Sequence, residues 1–272
     1  SRMGLYTMLL EGPVLALLIS VTLRASSSPE YTFATALHIP SYLFLATIVA
    51  MFFGLTGAAS EVLKDRALLK RESNAKVFVT GYVLAKALVL TGLSAVQSAL
   101  FLWVGNSILE IHGMFLIYLG TMTLTAFVGV SLSLLVSVFA RTERAALNMV
   151  PLLLIPQILM AGAIVRFDEM NQFIPWSAHR TDEHGRLKPG RVPLVAEFCP
   201  LRYSFETMVV DQASKNVWER ERETIQEKVD DLKERPHLDD REFEEFKLLK
   251  MALLHIAAIG AEGPEQAKAA VR

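Results

Sequence analysis

Long apolar stretches alternate with short polar stretches over the first 165 residues of the chain. Five of the apolar stretches can cross a bilayer, because about 20 helical residues at a rise of 1.5 Å each span a hydrocarbon core about 30 Å thick. They lie at residues 5–23, 41–59, 81–104, 114–140 and 145–165. The pattern therefore predicts an all-α polytopic membrane protein with five visible transmembrane helices.

A few residues inside these stretches depart from the apolar pattern. Glu11 in the first span is either a functional intramembrane carboxylate or a residue at the membrane interface. Lys86 near the start of the third span has a stem long enough to carry its charge to the interface. Pro151 and Pro156 are expected to kink or divide the fifth span. Membrane bundles tolerate such breaks, and a pathway often bends at them.

A short charged segment separates the second span from the third. The sequence FFGLTGAASEVLKDRALLKRE, residues 52–72, passes without a break from an uncharged run into a charged helix predicted at 60–73. Because so many charges cannot lie in hydrocarbon, this connecting helix is expected to lie along one face of the membrane. It marks the side on which a soluble partner can push on the spans.

Basic residues in the short loops orient the spans. Arg2, the connecting helix and the link at residues 141–144 carry most of them, and five alternating spans place all three on one side. Short cytoplasmic loops carry the excess of Lys and Arg. The N-terminus and the connecting helix are therefore predicted to be cytoplasmic, and the segment after Val165 extracytoplasmic.

The pattern changes after Val165, which ends the predicted transmembrane domain of residues 1–165. Residues 166–212 are interpreted as an outer re-entrant or loop segment. Residues 213–260 are predicted to form a charged helical hairpin, broken at Pro236 and capped by Asp239 or Asp240. One apolar seam runs along its first helix, comprising Trp218, Ile225, Val229 and Leu232. The hairpin is either a solvated structural insertion or a surface on which a partner docks. Residues 261–272 are interpreted as a truncated segment of a longer polypeptide.

Composition excludes several classes of function. The formal net charge of −1 gives no argument for nucleic-acid binding. Cys199 is the only cysteine, which excludes an intrachain disulfide and a cysteine-based zinc site. No phosphate-binding loop and none of the common hydrolase motifs occurs. The segment from His179 to His184 has residue types that can hold a metal ion, but a solvated polar loop is the simpler interpretation. We predict no catalytic residue and no metal site.

Several stretches, in order along the chain, resemble a known family. They are Phe52-Phe53-Gly54, Glu61-Val62, Lys64-Asp65-Arg66 and Lys70-Arg71-Glu72 at the connecting helix; Tyr82-Val83-Leu84-Ala85-Lys86 at the third span; Pro151, Pro156 and Ala161-Gly162-Ala163 at the fifth; and Ile174-Pro175-Trp176 and Pro200-Leu201-Arg202-Tyr203-Ser204-Phe205-Glu206 outside. Together, over residues 5–212, they resemble the permease of type-2 ABC exporters, especially the White-type G subfamily. That family has a sixth span, which is not visible in this sequence.

The resemblance implies a function and a set of partners. It implies the permease half of an ATP-driven exporter in the plasma membrane, which moves lipid-like or amphipathic compounds out of the cytoplasm or inner leaflet. An ATP-binding cassette domain, in the same longer chain or a separate subunit, would hold ATP and Mg. This chain itself is expected to bind no cofactor. A second permease half, identical or homologous, would complete the transporter.

The resemblance also implies site residues. Those that would couple the spans to the ATPase are Glu61, Lys64, Arg66, Arg71 and Glu72. Those that would line the substrate pathway are Phe44, Phe52, Leu152, Pro156 and Leu159. The alternative for the pathway residues is contact with lipid or packing. The alternative for the whole protein is a membrane-anchored sensor or assembly platform that binds a protein through the outer hairpin.

Overall fold

The computed structural model describes residues 2–23, 38–72, 79–165, 167, 170, 193–235, 239 and 241–253. This part of the chain is helical. The helices are α1 (Arg2–Leu23), α2 (His38–Ala58), α3 (Glu61–Glu72), α4 (Val79–Leu109), α5 (Phe115–Phe139), α6 (Glu143–Leu159), α7 (Leu194–Glu197), α8 (Pro200–Lys215), α9 (Val217–Glu234) and α10 (241–253). The all-α fold class is confirmed.

Four stretches of the described chain are long and apolar enough to cross a membrane. They are Tyr6–Leu23, His38–Arg66, Thr80–Leu109 and Phe115–Phe139. Many of their large apolar side chains are exposed in the isolated chain, among them Leu17, Leu88 and Leu124. Exposed apolar surface on this scale is what lipid or a partner subunit covers. The chain is an integral membrane protein.

The helix of the fifth predicted span is shorter than the apolar stretch that contains it. α6 has 17 residues and ends at Leu159, whereas the stretch runs on to Val165. Gly162 has a φ of 77°, a left-handed conformation that terminates helices and that only glycine adopts without strain. At 1.5 Å per residue α6 is about 25 Å long, somewhat less than the thickness of a hydrocarbon core.

α2 forms the centre of the bundle and packs most extensively against α5. The two backbones touch at glycines. A Cβ atom on Gly54 would overlap the carbonyl oxygen of Ala126 and lie 2.9 Å from the nitrogen of Val130. A Cβ on Gly129 would lie 2.7 Å from the carbonyl oxygen of Met51. Small residues are typical of such contacts, because helices in lipid associate through close packing rather than through the hydrophobic effect.

α8 lies antiparallel to α5 and is held to it by polar contacts. Tyr118 donates a hydrogen bond to the side-chain oxygen of Gln212, and the hydroxyls of Thr125 and Ser204 lie 2.7 Å apart. Thr125 lies ten residues after the start of α5, so the N-terminal end of α8 reaches about 15 Å along it. α8 therefore lies beside the first half of α5, with its C-terminal part near the α4–α5 turn and its N-terminal end near the middle of α5.

α9 and α10 follow as a charged hairpin. Val229 and Leu232 of the predicted seam are buried, and Arg235 makes an ion pair of 2.9 Å with Glu242 across the turn. Asp239 caps α10, because its carbonyl accepts from Phe243 N–H at 2.9 Å and its own N–H donates to Glu242 Oε2 at 3.0 Å. On α9, hydrogen bonds from Gln226 and Lys233 hold the pKa of Asp230 below its usual range. Trp218, Pro236 and Asp240 lie outside the side chains that the structure describes.

Candidate functional site

α3 follows α2, the bundle's central helix, after a very short turn. α2 ends at Ala58 and α3 begins at Glu61, so only Ala59 and Ser60 form the turn. The backbone N–H of Lys64 donates to the carbonyl of Ser60 at 3.0 Å, which continues the helical bonding through the turn. Neither glycine nor proline interrupts residues 58–72. A displacement of α3 is therefore transmitted directly to the end of α2.

Lys86 of α4 holds the first two turns of α3. Its Nζ lies 2.8 Å from Glu61 Oε2 and 2.8 Å from Asp65 Oδ2. The two carboxylates are four residues apart and so lie on one face of α3. All three side chains are partly buried, with 22–29% of their surface exposed. The ion pairs are therefore less screened by solvent than surface pairs are.

Two further contacts complete this junction. Tyr82, one turn before Lys86, donates a hydrogen bond of 2.8 Å to Asp65 Oδ2. Glu61 also accepts from Lys64 at 2.8 Å through its other oxygen, Oε1. Both oxygens of Glu61 are thus used, one toward α4 and one within α3. The α3–α4 junction is a network of five side chains rather than a single ion pair.

Arg66 holds α3 to a different helix, α5. Its Nη2 donates to the carbonyl oxygens of Val138 at 2.7 Å and Ala140 at 2.9 Å, and lies 3.5 Å from that of Ser137. The last carbonyls of a helix lack partners within it and carry partial negative charge, so a guanidinium satisfies them well. The Ser137 hydroxyl in turn accepts from the backbone N–H of Leu63 at 3.2 Å. α3 is therefore bonded to the end of α5 as well as to α4.

These contacts bond α3 to the ends of three helices of the bundle. It continues from α2, is ion-paired to the beginning of α4 and caps the end of α5. The end of α2, the beginning of α4 and the end of α5 therefore lie together at one end of the bundle. A force on α3 must move these ends together or break the polar contacts that hold them. The arrangement suits transmission of motion rather than chemistry.

The predicted coupling residues fall into two groups. Glu61 and Lys64 belong to the α3–α4 network, and Arg66 binds the end of α5. Arg71 and Glu72 lie within α3, but their side chains are outside the described residues. A coupling role for these five residues stays a prediction. The sequence interpretation missed Tyr82 and the ionic role of Lys86. The signal available for Lys86 was the pair of carboxylates four residues apart on the preceding helix.

The predicted pathway residues do not share one environment. Phe44 is buried and packs edge-on against Phe205 of α8, with ring centroids 5.2 Å apart. Phe52 is partly buried in the same core. Leu152, Pro156 and Leu159 are exposed on α6 at a spacing of four and three residues, which places them on one face. Of the five predicted pathway residues, the three on α6 are exposed in the isolated chain and the two on α2 are not. A pathway role for these five residues stays a prediction.

The described residues contain no group of His, Cys, Asp and Glu that can hold a metal ion. The segment from His179 to His184 lies outside them, as do residues 171–192 as a whole. Cys199 is buried and its thiol donates to the carbonyl of Val195 at 3.4 Å. We therefore take the contacts of α3 as the candidate functional site in the described part of the chain.

Comparison with known proteins gives one match. A family model described as ABC-2 type transporter matches residues 2–180, which is 179 of the 272 residues. The match contains α1 to α6 and therefore the whole connecting-helix network. No curated protein and no solved structure matches the chain.

Proposed function

Because the chain belongs to the ABC-2 type transporter family and is the permease component of an ABC transporter, we propose that it works as one half of an ATP-driven exporter. In this proposal an ATP-binding domain pushes on α3, and the spans move lipid-like or amphipathic compounds out of the cytoplasm or inner leaflet. The further assignment to the White-type G subfamily rests on the sequence stretches around α3 and α8.

The observation that carries the proposal is the bonding of α3 to the ends of two spans. Lys86 ties it to α4, and Arg66 ties it to the final carbonyls of α5. A coupling element needs a differential interaction with two arrangements of the spans, and breakable ion pairs and carbonyl contacts provide one. A connecting segment without such a role needs no contact with α5.

The partners follow from what the sequence lacks. No phosphate-binding loop occurs in it, so ATP and Mg are assigned to an ATP-binding cassette domain, in the same longer chain or in a separate subunit. A second permease half, identical or homologous, would cover the exposed face of α6. We place the protein in the plasma membrane with α3 cytoplasmic and α8 to α10 outside, in keeping with the distribution of basic residues.

The substrate class rests on the character of the open surface. The exposed α6 face offers apolar side chains, among them Leu152 and Leu159. A face of this kind suits molecules with a large apolar part and favours amphipathic compounds over ions or sugars.

The proposal is tested by reconstituting the chain with its ATP-binding partner in lipid nanodiscs. ATP hydrolysis is measured with and without candidate lipids and amphipathic compounds. Stimulation by a subset of them, with ATP-dependent movement of the same compounds in proteoliposomes, is the expected result. Failure of any ATP-binding domain to associate with the chain, or hydrolysis that no compound alters and that drives no transport, would reject it.

A further inference from the structure

A groove of about 730 Å³ opens between the first half of α1, the last turn of α2 and the first turn of α3. Its volume lies within the range of small-molecule sites, roughly 300–1,000 Å³. The α1 side of the groove carries Glu11 together with the apolar Met8, Leu10 and Val14. The opposite side carries Glu61 and Lys64, with the hydroxyls of Thr56 and Ser60. The groove lies beside α3 and away from the exposed face of α6.

The α1 side of the groove holds one carboxylate, that of Glu11, without a partner. Glu11 makes no hydrogen bond and no ion pair in the part of the chain that the structure describes. Glu61, by contrast, is bound to Lys64 and Lys86. An unpaired carboxylate in a membrane-spanning helix is costly, and such residues ordinarily meet an opposite charge. A ligand that brings a cation to Glu11 would therefore be stabilised.

A second, positive group lies in the same groove. Lys64 uses one contact to Glu61, and about half of its side-chain surface is exposed. An ammonium has three donors, so it can accept an anionic group of a ligand while it keeps that contact. The groove thus offers an unpaired negative group and an accessible positive group. A zwitterionic headgroup matches both.

The surface above the groove is suited to a lipid chain. Leu10, Val14 and Leu17 follow one another on α1 at a spacing of four and three residues and are each more than half exposed. Such a spacing makes one continuous apolar stripe along a helix. It leads from the groove toward the middle of the span. A soluble ligand would leave this stripe uncovered, whereas an acyl chain lies along it.

We propose that this groove binds the headgroup of an inner-leaflet phospholipid with a primary ammonium, of the phosphatidylethanolamine type. The ammonium binds Glu11, the phosphate meets Lys64, and one acyl chain follows the α1 stripe. The headgroup then lies between α1 and the first turn of α3, next to the network that holds α3 to α4.

The lining discriminates against other headgroups. A headgroup without an amine, such as that of phosphatidylglycerol, brings no cation to Glu11. A quaternary ammonium has no N–H donors, and proteins recognise it with aromatic faces. None of the described residues that line the groove is aromatic. A primary ammonium, in contrast, donates charge-assisted hydrogen bonds to a carboxylate and to neighbouring hydroxyls.

The test is native mass spectrometry of the purified full chain, titrated with three lipids that have the same acyl chains. These are phosphatidylethanolamine, phosphatidylcholine and phosphatidylglycerol. The wild-type protein is expected to bind the first about tenfold more tightly than the other two. Glu11→Gln keeps the shape but loses the charge, and should weaken that binding about tenfold, as expected for loss of a hydrogen bond to a charged group. Glu143→Gln, an exposed change on α6, is the matched control and should keep the preference.

A second variant guards against misfolding of the first. Val14→Trp keeps Glu11 but fills the groove from an exposed position, and should also weaken phosphatidylethanolamine binding by several-fold. Equal affinity of the wild-type chain for the three lipids would overturn the proposal. So would an unchanged preference in folded Glu11→Gln, or in Val14→Trp. The measurement needs no ATP-binding partner, so its outcome is separate from that of the proposed transport activity.

Discussion

Lys86 illustrates how a charge is kept near the end of a membrane-spanning helix. It lies seven residues after the start of α4, and its charge is balanced by Glu61 and Asp65 of α3. A lysine at this depth can also carry its charge to the interface through its stem. In the structure the Lys86 stem carries the ammonium to the carboxylates of α3 rather than to solvent. The ion pairs of Lys86 thus balance its charge and also hold α3 in position.

We predict that Lys86→Met loosens α3 without unfolding the spans. The substitution removes the ion pairs of Glu61 and Asp65 with α4, while Glu61 keeps Lys64 and Asp65 keeps Tyr82. Partly exposed pairs of this kind contribute about 1 kcal/mol. Hydrogen exchange at the backbone amides of residues 61–66 should accelerate by about fivefold, as 1 kcal/mol implies. Lys86→Arg should preserve protection. Lys247→Met, which removes a pair with Glu244 on α10, is the control and should leave α3 unchanged. Equal protection in Lys86→Met would show that the network does not hold α3.

Arg66 shows which part of a site a sequence can predict. The residue was identified by its place on the charged helix, and the structure places it in the network. Its partners are backbone carbonyls more than 70 residues away, and backbone carbonyls leave no signature in a sequence. They become available only because α5 ends beside α3. The place of Arg66 on the charged helix was predictable from the sequence, but the carbonyls that it contacts were not.

At the scale of elements, the contact between α2 and α5 depends on glycine. Gly54→Ala places a methyl group against the backbone of α5, where Val130 N lies 2.9 Å from the added atom. Overpacking of a close contact costs about 1–3 kcal/mol. We expect the thermal stability of the protein in detergent to fall accordingly.

Gly92→Ala is the matched control, because a Cβ at Gly92 of α4 meets no atom within 4 Å. Alanine is the better helix former by about 1 kcal/mol, so this variant should be as stable as the wild type or more so. Equal thermal stability of the two variants would show that α2 and α5 do not pack as closely at Gly54 as the structure indicates.

The position of α8 can be tested by cross-linking. Thr125→Cys with Ser204→Cys, in a Cys199→Ser background, should form a disulfide on mild oxidation, because the native hydroxyls lie 2.7 Å apart. Pairing Thr125→Cys with Ser214→Cys should not, since Ser214 lies ten residues, or about 15 Å, further along α8. Mass spectrometry of the intact protein detects the bond. Cross-linking of the second pair but not the first would contradict the antiparallel arrangement.

The helices themselves were largely predictable, and their depth and ends were not. Apolar stretches of about 20 residues indicated α1, α2, α4 and α5, because a bilayer fixes the length that such a helix needs. α8 mixes apolar and polar residues, so its composition does not indicate that its first turns lie beside the middle of α5. Hydrogen bonds such as that between Thr125 and Ser204 determine this. The end of α6 at Leu159, inside an apolar stretch that runs on to Val165, was likewise not predictable from composition.

At the scale of the whole molecule, the proposed orientation makes a prediction about accessibility. In a Cys199→Ser background, Glu110→Cys at the turn after α4 should react with a membrane-impermeant maleimide on intact cells. Lys64→Cys on α3 should react only after the membrane is permeabilised, because short loops rich in Lys and Arg face the cytoplasm. Both residues are exposed in the structure, so lack of reaction reports the membrane rather than burial. Labelling of Lys64→Cys on intact cells would reverse the orientation.

The whole bundle also relates the two regions on opposite sides of the membrane. α5 carries the Arg66 contact at its end and the α8 contacts in its first half. A displacement of α3 that moves α5 along its axis therefore disturbs the hydrogen bonds of α8. This gives a continuous path from the proposed ATPase side to α8, through helices that are packed against each other.

The central claim is that α3 transmits ATP hydrolysis to the spans. The most direct test measures ATP hydrolysis and lipid translocation on the same proteoliposomes, for the wild type and for Glu61→Lys and Arg66→Glu. Both reversals break the contacts of α3 with a neighbouring span, so hydrolysis should persist while translocation falls at least about fivefold, the lower range of a coupling free energy. Arg144→Glu, an exposed reversal on the same proposed face, should transport as the wild type does. Normal translocation by both α3 reversals would contradict the account.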